Sequence, residues 1–163
     1  MSDEPIDLEA MNDLFNGFVP HNRALGLTMV AASFEPARVT LKLPWSEKLV
    51  GNPETEVLHG GAITTLLDAC CGASVYFRLK APIPIATLDL RVDFLGKAPA
   101  RRDVYARAEC HHVTRTVGFV RATAWADGEE AAPFAAATAT FALSTKGQAV
   151  TEEQRARLEE LKR

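Results

Sequence analysis

The chain has 163 residues, 47% hydrophobic and 24% charged, which suits one domain with a real core and is too short for two substantial ones. The 18 Lys and Arg against 21 Asp and Glu leave a formal charge of -3, so no global positive field exists to collect nucleic acid. The apolar content excludes a wholly disordered chain.

The stretch 5–18 carries Ile6, Leu8, Met11, Leu14, Phe15 and Phe18 at mostly helical spacing and predicts an outer helix. Pro5 suits its first turn, while Gly17 and Pro20 supply the stop. After Val19-Pro20-His21-Asn22 the pattern changes. Residues 28–30 and 34–43 predict a hairpin, in which Val39, Leu41 and Leu43 alternate with Arg38, Thr40 and Lys42. The segment 45–56, broken by Gly51 and Pro53, reads as a connection. From Gly60 to about Phe77 the chain is apolar around most of a helical circumference, which predicts a helix inside the fold, ended by Pro82 and Pro84.

Residues 87–143 favour strands. Leu88, Leu90, Val92 and Phe94 alternate with Asp89, Arg91 and Asp93, and Val104, Ala106, Ala108 and Cys110 alternate with Tyr105, Arg107 and Glu109. Segments 117–125 and 134–143 complete a meander, with Asp127-Gly128 as a turn. Its many alanines permit close approach of a helix. Thr151 with Gln154 resembles a capping box for a short charged C-terminal helix. The expected organisation is an N-terminal helical segment (1–22), one domain (23–145) and a C-terminal helical extension (146–163). Consecutive strands around an all-apolar helix imply a curved α+β domain with an antiparallel sheet. Sheet edges then favour oligomerisation through edge pairing or face packing.

An odd set of cysteines, Cys70, Cys71 and Cys110, is no disulfide framework and favours a reducing compartment. The acidic start lacks a secretory core, and no apolar run reaches about 18 residues. The cytoplasm is the expected location, with no membrane insertion and no nucleic-acid partner. No CxxC or carboxylate cluster suggests a metal. Cys70 and Cys71 read as core, and no serine sits in a nucleophile elbow. His111 and His112 would point to opposite faces of a continuous strand. His21, in a loop after Pro20, reads as solvent-facing.

The segment Asn52 to Asp68 is the one that can carry chemistry. Gly60 and Gly61 open the apolar helix and expose backbone N–H groups beside its positive end, where an oxyanion or polarised carbonyl is stabilised. His59, just before them, is placed to meet a substrate or leaving group. The competing reading is a glycine-softened helix start with a capping histidine. Asp68 lies between Leu67 and Ala69 in the apolar helix, where a carboxylate needs a partner or a task. It can pair with a buried polar group, Thr64 being one turn away, or act as general base or nucleophile. Gly60 and Asp68 are about 12 Å apart along one helix, too far to attend one carbonyl, so shared work implies two antiparallel helices from different subunits. Lys97, Arg101 and Arg102 gather around Ala98-Pro99, Arg78 and Lys80 follow the helix, and Arg115 follows the histidines. They either hold phosphates of an acyl carrier or nucleotide tail, or form a charged rim.

Leu25-Gly26-Leu27, His59-Gly60-Gly61, Asp68 and the run from Thr87 to Leu95 occur in an order that resembles the hotdog-fold thioesterases, particularly acyl-CoA thioesterases of the phenylacetic-acid-pathway type. The resemblance covers about residues 14–145. It implies a sheet wrapped around one long helix, dimers that often pair into tetramers, and active sites at the dimer interface. It implies that Asp68 of one chain is general base or nucleophile while Gly60 of the other presents its N–H to a thioester carbonyl. His59 would sit near that carbonyl or the sulfur, Asn52 would help place the thioester or water, and Thr87 would assist the water. The expected function is hydrolysis of an acyl-CoA without metal or redox cofactor. Gly61 would contact substrate, and Lys97, Arg101, Arg102 and Arg115 would hold CoA phosphates. The alternative is a noncatalytic acyl-CoA-binding or sensing protein with the same pocket; a hydratase has less support.

Overall fold

Asp7 caps the first helix: its carboxylate accepts the N–H groups of Glu9 (3.0 Å) and Ala10 (3.1 Å) at the start of α1 (Leu8–Phe18). The computed structural model describes residues 6–81 and 83–143. The expected C-terminal helix with its Thr151–Gln154 box, Pro5 and Pro82 lie outside the described residues. Helix α1 lies against the domain as an outer layer. Ile6, Leu8, Met11 and Phe15 pack on the core, and the Asn12 amide exchanges hydrogen bonds with the backbone of Met29 (2.6 and 2.9 Å). Pro20 begins a second short helix, α2 (Pro20–Leu25), instead of leaving a loop, so His21 is an exposed helical residue. Its missing N–H and fixed φ suit a first helical position.

Strands β1 (Thr28–Phe34) and β2 (Ala37–Leu43) form the expected hairpin, with β1 longer than its alternation indicated. The stretch read as a plain connection holds a 3-10 turn (Glu47–Leu49) and a small antiparallel pair, β3 (Val50–Asn52) with β4 (Val57–Leu58). Helix α3 (Gly60–Leu79) follows at once. It ends before the prolines, at Lys80, which takes the left-handed conformation with φ 52°. Strands β5 (Ile85–Phe94), β6 (Val104–Val113), β7 (Val117–Ala126) and β8 (Ala135–Leu143) complete a six-stranded antiparallel sheet in the order β1-β2-β6-β7-β8-β5. The curved-sheet, long-helix architecture expected for a hotdog fold is present, and β1 and β5 are its edges.

Side-chain alternation decides which face meets α3. Leu41, Ala106, Ala124 and Ala135 stand in register across four strands, and all four are buried. Ala108, Ala122 and Ala137 form the next row. Small residues on the inner face let the helix settle close, and Leu66, Leu67, Cys70, Cys71 and Val75 fill the remaining space. Cys70 Sγ lies 3.3 Å from the carbonyls of Val39 and Ala106. Burial pushes its thiol up to about 12, and pushes those of Cys71 and Cys110 upward as well. A thiol-specific disulfide reagent at pH 8 is therefore expected to leave the native chain unlabelled and to titrate Cys70, Cys71 and Cys110 in denaturant; rapid native labelling would contradict this packing. Among the described residues no helix is long and apolar enough to cross a membrane.

Two bulges change the alternation read from the sequence. In β6 the register shifts between Cys110 and His112, leaving His111 without a partner. The strand continues, but His111 and His112 are both exposed, and the His112 ring sits 5.8 Å from that of Phe119. The expectation that they straddle opposite faces fails because the extra residue breaks the two-residue repeat. In β5 the shift lies between Thr87, opposite Phe141, and Asp89, opposite Thr140. Leu88 is the extra residue and is 60% exposed.

Candidate active site

Simple alternation would turn Thr87 to the same side as Asp89, Arg91 and Asp93, away from the helix. The Leu88 bulge reverses that parity. Thr87 now stands opposite Phe141, a buried inner-face residue, and its hydroxyl donates to Asp68 Oδ1 at 2.9 Å. Thr64 does not serve Asp68; its hydroxyl donates to the Gly60 carbonyl at 3.0 Å. Asp68 is half-buried within the single chain, on an outward stripe of α3 with Thr64, Thr65 and Ala69. The expectation that it lies in an apolar interior is corrected to that extent. The apolar residues of α3 face the sheet, and Asp68 occupies the side that the sheet leaves open.

The start of α3 forms a second cluster. His59 caps the helix: its Nδ1 accepts the Gly61 N–H at 2.9 Å, so the neutral ring carries its proton on Nε2. The capping reading is the one the geometry shows, and the capping ring remains exposed with Nε2 free of that bond. The Ala62 N–H donates to the His59 carbonyl at 2.9 Å. The Gly60 N–H has no hydrogen-bond partner among the described residues, which leaves a donor at the positive helix end. The ring of Phe94, half exposed at the end of β5, packs beside it; a Cβ on Gly60 would lie 3.5 Å from Phe94 Cζ. In the sequence Phe94 is one more residue of the apolar alternation of β5, and nothing in the chain around it signals this contact.

The β3–β4 pair delivers His59. His59 N–H donates to the Leu49 carbonyl at 2.7 Å, and Gly51 packs against the His59 backbone. Asn52, the next residue, spends its side-chain oxygen on the Glu54 N–H at 2.9 Å and its carbonyl on Thr55 and Glu56. A Cβ at Gly51 would come within 2.8 Å of His59 Cα, a contact that only backbone movement relieves. Gly51→Ala is therefore expected to lower turnover about tenfold or more through displaced groups at the site, the penalty of misplacement by an ångström or less. An unchanged rate constant would show that His59 and Gly60 need no such placement.

The basic residues do not form one patch. Arg101 pairs with Glu56, and Arg102 with Glu129 (2.6 Å) and the Asp127 carbonyl. Lys97 and Arg115 make no ion pair among the described residues. Lys97 follows Phe94 at the Gly60 end of the sheet. Arg115 lies in the β6–β7 turn, where the neighbouring Thr116 carbonyl accepts the Leu143 N–H, at the opposite strand ends. The two are separated by roughly a strand length, about 30 Å. One chain thus carries two separate clusters, Asp68 with Thr87 and the Asn52–Gly61 segment with Phe94, about two helical turns apart along α3.

The family model described as Thioesterase superfamily matches residues 55–132, from the β3–β4 turn through β7. A medium/long-chain acyl-CoA thioesterase, YigI of Salmonella typhimurium, is 31% identical over 108 residues, covering 58% of this chain and 68% of its own length. The chain belongs to the thioesterase superfamily. A Halobacterium salinarum protein named as a candidate esterase is 37% identical over 98 residues, covering 56% of this chain and 64% of its own length, so the match spans slightly under two thirds of that relative. A solved Pseudomonas aeruginosa structure is 41% identical, covers 83% of this chain and 97% of its own, and superposes with a TM-score of 0.72. The resemblance carried by His59-Gly60-Gly61, Asp68 and the β5 run holds at the level of family and fold. Residue roles are a separate matter of geometry.

Proposed function

We propose that the chain is an acyl-CoA thioesterase that works as a homodimer and hydrolyses a CoA thioester to free acid and CoA. The supporting observation is the split site: a carboxylate anchored on one oxygen by Thr87, and an unpartnered helix-start N–H too distant to serve the same carbonyl within one chain. In the proposed arrangement Gly60 of one protomer binds the thioester oxygen, and the positive end of α3 strengthens that bond as charge develops. Asp68 of the partner removes a proton from water through the oxygen that Thr87 leaves free. The tetrahedral intermediate collapses with departure of the CoA thiolate, near which His59 offers its Nε2–H. Asn52 and Gly61 line the carbonyl side.

Edge strand β5 is the surface we assign to the partner chain. Leu88, Phe94 and Leu95 are 60%, 50% and 63% exposed along an edge with unpaired backbone groups, a surface that pairing with a second copy covers. Leu90 and Val92, half-buried on its inner face, supply apolar surface for the acyl group. The YigI name favours medium to long chains. Lys97, unpaired at the Gly60 end, is the cation we assign to CoA phosphates; Arg115 reaches such a group only from another protomer.

The test is a thiol-release screen over aromatic, medium-chain and long-chain acyl-CoAs. Release above the uncatalysed rate supports hydrolysis, whereas saturable binding without release would establish the noncatalytic acyl-CoA-binding alternative. Lys97→Ala is expected to raise KM for the CoA thioester about three- to tenfold, the worth of one charged contact, and to leave KM for an N-acetylcysteamine thioester unchanged. An equal rise for both would remove Lys97 from phosphate recognition.

A further inference from the structure

Three non-glycine residues among those described adopt the left-handed backbone conformation: Glu56 (φ 53°), Lys80 (φ 52°) and Arg101 (φ 50°). Such a conformation is uncommon for residues with a long side chain and persists only where the surroundings over-determine it. Lys80 ends α3. The other two, distant in sequence, are joined to each other by an ion pair between the Arg101 guanidinium and the Glu56 carboxylate. Beside that pair, Val57 bridges Ala100 in an isolated antiparallel contact. The Glu56 carbonyl accepts the Trp45 indole N–H at 3.1 Å, and its own N–H donates to the Asn52 carbonyl at 2.8 Å. Every polar group of Glu56 therefore ties the β3–β4 turn to something outside it or to Asn52. From Glu56 the chain runs through the two residues of β4 directly into His59 and Gly60.

We propose that Arg101 is a positioning residue: through Glu56 it clamps the β3–β4 turn to the loop before β6 and so holds Asn52, His59 and Gly60 where the thioester carbonyl is to be bound. This deepens the thioesterase reading and rests on it. It also separates Arg101 from Lys97, with which sequence proximity groups it as a phosphate cation. The Arg101 side chain is 68% exposed, and an exposed pair contributes little to overall stability. Its consequence is local, in the placement of three residues.

The experiment compares Arg101→Met, Glu56→Gln, the double variant and the charge exchange Arg101→Glu with Glu56→Arg. Each is assayed on one acyl-CoA and on the corresponding acyl-N-acetylcysteamine, which lacks the nucleotide and its phosphates. A clamp predicts that kcat falls about fivefold in both single variants, the scale set by one exposed ion pair. The fall is the same on the two substrates, with no further loss in the double variant and partial recovery on charge exchange. Amide hydrogen exchange supplies a readout independent of turnover: the His59 N–H, bonded to the Leu49 carbonyl at 2.7 Å, should exchange about fivefold faster in Arg101→Met while amides of β6 and β7 keep their rates. A selective KM rise on the CoA substrate in Arg101→Met, with Glu56→Gln indistinguishable from wild type, would overturn the clamp in favour of phosphate contact. Unchanged His59 exchange would overturn it as well. A wild-type chain that releases no thiol from either substrate would instead defeat the thioesterase reading, and the exchange rates would still decide the clamp.

Discussion

Asp68→Asn is expected to reduce thiol release from acyl-CoA by about a thousandfold, within the range that removal of a general base spans. The substitution is close to isosteric. The Asn carbonyl oxygen still accepts the Thr87 hydroxyl, and half-burial means that no buried charge is orphaned. The melting temperature and the oligomer mass are therefore expected to match wild type. What is lost is the proton-accepting carboxylate. Initial rates with a thiol-trapping dye, beside thermal unfolding and light scattering, make the comparison. A variant that keeps a tenth or more of the activity would remove Asp68 from the chemistry.

Gly60→Pro is the complementary change. Proline at the first helical position lacks an N–H, and the Gly60 N–H has no partner to lose among the described residues. His59, with φ -62° and ψ 135°, already has the extended conformation that a following proline demands. Added carbon meets Phe94 at 3.5 Å, an ordinary contact. The helix start is thus expected to form while its donor is gone, with a loss in kcat of about 10²- to 10³-fold, the cost of one oxyanion donor. Mixing the two inactive variants tests whether sites are shared. In random dimers half are mixed, and each holds one site with both groups intact, so activity returns to about a quarter of wild type. Verified mixed dimers without activity would mean that Asp68 and Gly60 act within one chain or not together.

The fold was legible because its determinants are local and periodic. Val104, Ala106, Ala108 and Cys110 recur every second residue, and all four are buried against α3. Helix α3 showed itself by apolarity around its circumference, and His59-Gly60-Gly61 by the glycines at its start. Less local features escaped. Pro20 follows the end of α1, as a stop should, and also starts α2, a role that its fixed φ serves equally well. Glu56 has no sequence mark for its left-handed backbone, and the groups that hold it, Arg101 and Trp45, come from distant segments.

The sequence by itself determined which residues are chemically unusual: a carboxylate in an apolar helix and paired glycines behind a histidine. It also determined, through helical rise alone, that Gly60 and Asp68 of one chain cannot serve one carbonyl. Only the tertiary structure decided that Thr87 faces Asp68, because side-chain parity in a strand depends on register with its neighbour, and Leu88 slips that register by one. It likewise parted Arg115 from Lys97 and gave Arg101 to Glu56. Composition and period are properties of a segment, whereas register and ion pairing are properties of two segments brought together, and no single stretch of chain encodes them.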